Sequence, residues 1–332
     1  MRHFLNLREH SPAALRALAD RALMIKRGEA TPGAIKGRTL VMLFFNSSLR
    51  TRASFEAAMG RFGGSAIVLN VGSDTWSLET RDGVRMDGDA PEHVREAAAV
   101  LGRYGDAVAV RSFATMRDHG ADFADAIVRA FAAYADVPVI SMESASEHPC
   151  QGLTDWVTMI EQLRETRGRR FTLTWAPHVK PLPMAVPHSA VLAAAAAGML
   201  VTIARPRGYA LRPEIMATAR QWAAAGGGSI EETENHTDAR RGADVLYVKS
   251  WGAAFADNAG PVNNPNLADW LVTRDHLGQD TRLMHCLPVR RNVVIADDAL
   301  DDPRSVVIDQ AENRLWAQAA ILDAVFNAER GA

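Results

Sequence analysis

The chain has 332 residues, about half of them apolar and none of its segments strongly biased, which is the composition of a soluble globular protein with room for two domains. Its formal net charge of −2, with acidic and basic residues interspersed, gives no reason to expect a nucleic-acid or membrane-surface partner. The two cysteines, Cys150 and Cys286, have no neighbouring cysteine or histidine at zinc spacing and suggest neither a disulfide framework nor a metal site.

The chain opens without an apolar signal-like run. A helix is expected after Ser11, with Pro12 in its first turn and Leu15, Leu18, Leu23 and Met24 along one face. Short β-branched or apolar runs then follow at 39–45, 65–69, 107–111, 139–141, 172–175, 200–204, 245–249, 283–285 and 306–309. Helical patterns fall between them at 54–62, 92–104, 154–165, 189–198 and 212–225. Such alternation predicts an α/β protein with parallel, doubly wound sheets. Nine strands are many for one sheet, so two such domains are expected, joined near residues 143–152. The most apolar stretch, 190–204, is too short to span a bilayer. A cytoplasmic location is expected.

In open parallel sheets ligands sit beyond the carboxyl ends of strands, so chemistry should lie just after a predicted strand. The first run leads into Asn46-Ser47-Ser48-Leu49-Arg50-Thr51-Arg52 and then a helix. Hydroxyls, guanidinium groups and helix N-terminal amides together suit a phosphate. A lone S-x-R-T is more often a helix cap with solvated arginines; its place after a buried strand favours an oxyanion site. No G-x-G-x-x-G or Walker sequence follows any strand, which argues against a dinucleotide or P-loop site. Two more strand ends add polar groups: Arg111-Ser112-Phe113, and Glu143 followed by His148-Pro149-Cys150-Gln151.

These motifs resemble those of the aspartate/ornithine carbamoyltransferase family, over roughly residues 3–328. Ser48 to Thr51 is similar to its S-x-R-T, His148 to Gln151 to its H-P-x-Q, and His285-Cys286-Leu287-Pro288 to its H-C-L-P. The resemblance implies a transcarbamylase fold, with residues 1–145 plus a returning C-terminal helix, 311–332, binding carbamoyl phosphate and residues 146–310 binding the acceptor. It implies that Ser48, Leu49, Arg50, Thr51, Trp76, Arg111, His148, Pro149, Cys150, Gln151, Cys286, Leu287 and Arg314 bind carbamoyl phosphate. Thr51, Arg111, His148 and Gln151 would be the catalytic groups, polarising the carbamoyl carbonyl or orienting its amide. Neither cofactor nor metal is required. A homotrimer with shared active sites is implied, Trp76 lying on a loop that reaches a neighbouring subunit in N-acylornithine relatives.

The acceptor follows from a departure. Ordinary ornithine enzymes hold the free α-ammonium with an aspartate after a C-terminal-domain strand. Here that strand, 245–248, runs into Lys249-Ser250-Trp251-Gly252-Ala253, similar to the K-x-W-[GA]-A of the N-acylornithine branch. Two like charges ~4 Å apart repel by roughly 4 kcal/mol at an effective dielectric near 20, so a blocked α-nitrogen is expected. The stretch from Thr174 to Pro183 resembles a loop that forms part of a chain knot in that branch, although His178 is followed by Val179-Lys180 where a relative has Pro-Arg. By similarity, Glu143, His178, Lys249 and Arg290 bind the acylated amino acid.

Acetyl and succinyl enzymes of the branch differ at one position, glutamate in the former and proline in the latter, which is Pro91 here. A glutamate would repel a succinyl carboxylate and fill its space, although Pro91 would also suit the first turn of the helix expected at 92–104. Val294 stands where some acetyl enzymes carry a modifiable lysine. The expected reaction is therefore carbamoyl transfer to the δ-amine of N-succinyl-L-ornithine, giving N-succinyl-L-citrulline and phosphate in arginine biosynthesis. N-acetyl-L-ornithine is the alternative acceptor. A non-catalytic anion-binding paralogue is the reading from another class; it would be marked by loss of a phosphate or oxyanion residue, and all are present.

Overall fold

A computed structural model of the protein describes residues 1–253 and 265–329. In chain order the elements are α1 (Pro12–Lys26), β1 (Thr39–Phe44), α2 (Leu49–Arg61), β2 (Ser65–Asn70), β3 (Leu78–Glu79), β4 (Glu92–His93), α3 (Val94–Tyr104), β5 (Ala107–Arg111), α4 (His119–Phe123), α5 (Ala126–Tyr134), β6 (Val139–Glu143) and α6 (Pro149–Leu163). They continue as β7 (Arg170–Trp175), α7 (Ala185–Ala196), β8 (Leu200–Ala204), α8 (Pro213–Gly226), β9 (Ser229–Thr233), α9 (His236–Arg240), β10 (Val245–Lys249), β11 (Arg282–Met284), α10 (Asp297–Leu300) and α11 (Val307–Glu329). The chain divides into two compact units, one of residues 1–10, 17–150 and 314–332 and the other of residues 11–16 and 151–313.

The first unit is built on a parallel sheet in the order β2-β1-β5-β6. Strands β1, β5 and β6 are buried on both faces, which is why they read as continuous apolar runs. Val41, Leu43, Val108 and Val110 pack with Val94 and Ala98 of α3 and with Val128 and Phe131 of α5. The second unit carries a parallel sheet in the order β11-β10-β7-β8-β9. Its helix α7 is buried around nearly its whole circumference, as an Ala- and Val-rich segment must be. Both sheets are parallel and flanked by helices, as the alternating pattern predicts.

Each sheet has one place where the chain reverses its direction of travel across the strands. In the first unit it lies between β1 and β5, and in the second between β7 and β10. Crevices for ligands open beyond the carboxyl ends of strands at these points.

Several boundaries differ from expectation for identifiable reasons. Helix α2 begins at Leu49, five residues before the expected start, because Ser48 caps it: the Ser48 hydroxyl accepts from the Thr51 amide at 3.2 Å. Helix α6 likewise begins at Pro149, a favoured first-turn residue, rather than at 154. Residues 306–309 are not a strand. Ser305 makes one bridge to Leu283, and the chain then turns into α11 with Val307 buried in the second unit's core. The β-branched run there serves burial, not pairing. Strand β9 went unexpected because Glu231 and Glu232 make it polar, which suits a sheet edge.

Candidate active site

The loop from β1 to α2 and the end of β5 meet at the first unit's reversal point. Asn46 fixes the two together, its side-chain Oδ1 accepting from the Phe113 amide at 2.7 Å. Ser48, Leu49, Arg50 and Thr51 form the cap and first turn of α2, so their amides and the helix dipole face the same end. Leu49 is 80% exposed and contributes backbone only, whereas Thr51 is fully buried.

The Thr51 hydroxyl oxygen is shared by two cations. It accepts from Arg111 Nη1 at 3.1 Å and from Arg314 Nη2, on α11, at 2.6 Å. Both guanidinium groups are buried. With its oxygen so engaged, Thr51 keeps its own O–H to donate. A break in register between β5 and β6 pairs Val110 with Ser141 but Arg111 with Glu143. The skipped residue brings the Glu143 carboxylate to 2.8 Å from Arg111 Nη1 and 3.4 Å from His148 Nε2. Glu143 thus lies in this cluster, together with His148. The Arg111 guanidinium also rests 4.5 Å over the Phe113 ring.

Cys150 follows His148 by two residues but offers no nucleophile. Its thiol donates to the Ser141 carbonyl at 3.4 Å, and burial, opposed by the charge of Arg314, pushes its pKa up to about 12. Trp76 is 61% exposed on the loop after β2, and its indole N–H donates to the Glu92 carboxylate at 2.6 Å. That contact joins the loop to the short parallel pair of β3 and β4. Pro91 is exposed just before β4, and α3 begins only at Val94, capped by the His93 ring. The proline is therefore not a first-turn helix residue, and the helix-start explanation for it falls away.

In the second unit the reversal point collects cations. Lys249 ends β10 beside Trp175, the last residue of β7. His178 follows β7, its Nδ1 2.8 Å from the Lys180 carbonyl oxygen. Burial lowers the His178 pKa, and the charges of Lys249, Arg290 and Lys180 lower it further against the Lys180 backbone contact. The imidazole is therefore neutral near pH 7, and Lys249 and Arg290 lie close enough to act on it. The segment after β10 is tightly fixed: Trp251 is buried, its carbonyl accepts from Trp175 Nε1 at 2.9 Å, and Gly252 N donates to Leu182 O at 2.9 Å.

Gln151, in the first turn of α6, is buried and donates from Nε2 to Asp155 at 2.7 Å, while its Oε1 has no partner among the described residues. Cys286 and Leu287 follow β11 in a turn with Leu287 at φ 54 and a cis Leu287–Pro288 bond. The turn is tied down through His285, whose amide donates to Gln310 Oε1 at 2.9 Å and whose Nδ1 accepts from Leu287 N at 2.9 Å. Asp155 and Gln310 were missed in the sequence. The i, i+4 spacing of Gln151 and Asp155 was a usable signal. Gln310 was hidden by reading its neighbourhood as a strand.

Among the described residues no group of three or more His, Cys, Asp or Glu could hold a metal, and no helix is long and apolar enough to cross a membrane.

Parallel sheets with these strand-end clusters define a transferase of the transcarbamylase kind, and the comparisons agree. A family model described as aspartate/ornithine carbamoyltransferase, carbamoyl-P binding domain, matches residues 2–161, and one described as the Asp/Orn binding domain matches 184–325. The N-acetylornithine carbamoyltransferase of Xanthomonas campestris pv. campestris is 40% identical over 343 residues, 99% of each chain. The N-succinylornithine carbamoyltransferase of Bacteroides thetaiotaomicron is 39% identical over 289 residues, 86% of this chain and 87% of its own. A crystal structure of N-acetyl-L-ornithine transcarbamylase, with a glutamate replaced by proline and complexed with carbamyl phosphate and N-succinyl-L-norvaline, matches at TM-score 0.92 and 40% identity, covering 98% of this chain and 100% of its own. The chain belongs to the aspartate/ornithine carbamoyltransferase family. Within it, the chain falls in the N-acetyl- and N-succinylornithine carbamoyltransferase branch, and it is an enzyme of carbamoyl transfer.

Proposed function

We propose that the protein transfers the carbamoyl group of carbamoyl phosphate to the δ-amine of N-succinyl-L-ornithine, giving N-succinyl-L-citrulline and phosphate. The first unit's cluster holds the donor. Ser48, the first-turn amides of α2, Arg50 and Arg111 take the phosphate, while Thr51, Arg111 and His148 meet the carbonyl oxygen as negative charge builds on it. Arg314 holds Thr51 in place and adds positive charge. Gln151 Oε1 and the Cys286 and Leu287 carbonyls accept from the carbamoyl amide. The neutral δ-amine attacks the carbamoyl carbon, the bond to the phosphate oxygen breaks with its electron pair, and the amine proton passes to the departing phosphate. No enzyme nucleophile is used, consistent with the protonated, buried Cys150.

The observation that carries the acceptor reading is Lys249 at the end of β10, its charge felt at His178 together with that of Arg290. An α-ammonium beside Lys249 would be repelled by roughly 4 kcal/mol, about a thousandfold in affinity. An acyl amide removes that charge, and the substrate carboxylates complement Lys249 and Arg290.

Pro91 supports succinyl as the acyl group. The family resemblance aligns it with a glutamate of the acetylornithine enzymes. Solved variants of N-acetyl-L-ornithine transcarbamylase with one glutamate changed to proline, alanine, serine or valine are all complexed with N-succinyl-L-norvaline. Their shared feature is the lost carboxylate. Acetyl is the second reading, favoured by the 40% identity to an N-acetylornithine enzyme over 99% of the chain. Calorimetric titration of the protein, saturated with carbamoyl phosphate, with N-succinyl- and N-acetyl-L-norvaline decides between them. Tighter binding of the succinyl compound supports our reading; tighter binding of the acetyl compound replaces it. The homotrimer, with the Trp76 and Pro91 loop serving a neighbouring site, belongs to the same proposal.

A further inference from the structure

A single buried carboxylate orients both groups assigned above to the carbamoyl amide. Asp155 Oδ1 accepts from Gln151 Nε2 at 2.7 Å and from Gln310 Nε2 at 2.7 Å. Gln310 Oε1 then accepts from the His285 amide, and His285 Nδ1 from the Leu287 amide. Gln151, Asp155, Gln310 and His285 are all at most 2% exposed, so the relay is shielded from bulk solvent.

The direction of the two bonds sets the polarity of this relay. Asp155 Oδ1 accepts from both Nε2 groups, so each glutamine presents its NH2 to Asp155 and its carbonyl oxygen elsewhere. For Gln310 that oxygen faces the amide at the start of the turn carrying Cys286 and Leu287. For Gln151 it is the buried Oε1 that has no partner among the described residues. A buried acceptor left unmatched is costly, and one held ready for a ligand N–H is a recognition device.

We infer that Asp155 is a positioning residue that fixes Gln151 Oε1 and the 286–287 turn as acceptors, and that it thereby selects a carbamoyl phosphate, with its NH2, over acyl phosphates bearing a methyl group there. The inference rests on the carbamoyl-transfer reading. Acetyl phosphate is the matched probe, since it differs from carbamoyl phosphate by CH3 in place of NH2. Without Asp155 the Gln151 amide is free to turn its NH2 outward, where it would oppose the ligand's own NH2.

The test measures binding of carbamoyl phosphate, acetyl phosphate and inorganic phosphate to the wild-type protein, Asp155→Ala and Asp155→Asn. The wild type is expected to prefer carbamoyl over acetyl phosphate. In Asp155→Ala, carbamoyl phosphate should weaken about 10–100-fold, the scale of one lost buried hydrogen bond to two, while phosphate changes by less than about twofold. Asp155→Asn keeps an oxygen able to accept from both glutamines and should retain most of the preference. A merely structural role would weaken all three ligands together and leave Asn no better than Ala; that outcome, or an undiminished preference in folded Asp155→Ala, overturns the inference. Should Asp155→Ala fail to fold, Gln310→Met reads the same relay: the preference should fall several-fold, and an unchanged preference again overturns it. A wild-type protein that binds phosphate but does not favour carbamoyl over acetyl phosphate would instead defeat the carbamoyl-transfer reading itself.

Discussion

Arg314 and Thr51 lie 263 positions apart and meet at 2.6 Å, Arg314 Nη2 donating to the Thr51 hydroxyl oxygen. Arg111 Nη1 donates to the same oxygen at 3.1 Å. Two buried cations on one hydroxyl polarise its O–H toward whatever lies opposite, and the proposed reaction places a developing oxyanion there.

Thr51→Val removes that hydroxyl while keeping the side-chain volume, and it takes from Arg111 and Arg314 the oxygen they share. Loss of one donor at an oxyanion typically costs about 3–4 kcal/mol, so kcat should fall about 100–1000-fold. Steady-state kinetics with the acceptor saturating would check this. A variant with near-normal kcat would exclude Thr51 from the transition state.

Lys249→Met keeps the length of the side chain and removes its charge. The KM for the acylated acceptor should rise about tenfold or more, while that for carbamoyl phosphate stays within about twofold, the loss of one charge-assisted contact being worth about 1.5–3 kcal/mol. Equal rises in both constants would mean that Lys249 supports the fold and not the acceptor.

Pro91→Glu restores a carboxylate beside the acyl group. Succinylornithine turnover should drop relative to acetylornithine turnover by about tenfold or more, a repulsion of at least ~1.4 kcal/mol. Competition between the two acceptors measures the ratio directly. Because α3 begins at Val94, the change should leave the melting temperature almost unmoved.

Stability should fall with acid through His276. Burial, then the charges of Arg240 and His236, lower its pKa from 6.5 to about 4. Its Nε2 faces Arg240 Nη1 at 3.1 Å, and Thr273 lies at its Nδ1. Below about pH 6.5 the unfolded chain binds a proton that the native one refuses, so native stability declines until about pH 4 and then levels off. The loss is about 2 kcal/mol after discounting partial exposure. Thermal melts from pH 7 to 4 should show it, and His276→Gln, which removes the titrating ring, should flatten the dependence. Parallel profiles for the two proteins would remove His276 from the account.

Much of this was legible from residues alone, because the apolar runs of β1, β5, β7 and β10 are buried on both faces and the polar residues after them break the pattern sharply. The sequence also exposed Lys249 as a departure, since a cation after a buried strand needs a reason. Where reading failed, tertiary context had overruled local preference. Residues 306–309 look like a strand yet turn into α11 to bury Val307 in the second unit's core. The first turns of α2 and α6 were hidden because their Ser, Arg, Pro and Cys residues interrupt the apolar period. The pairing of Arg111 with Glu143 depends on a register break that no periodicity encodes.

One assay bears on the whole account: the initial rate of citrulline-group formation from carbamoyl phosphate with ornithine, N-acetyl-L-ornithine and N-succinyl-L-ornithine side by side. Rapid turnover of an N-acylated acceptor is expected, the succinyl one foremost, with at least about a hundredfold less for free ornithine beside Lys249. Efficient carbamoylation of free ornithine, with the acylated compounds inert, would contradict it.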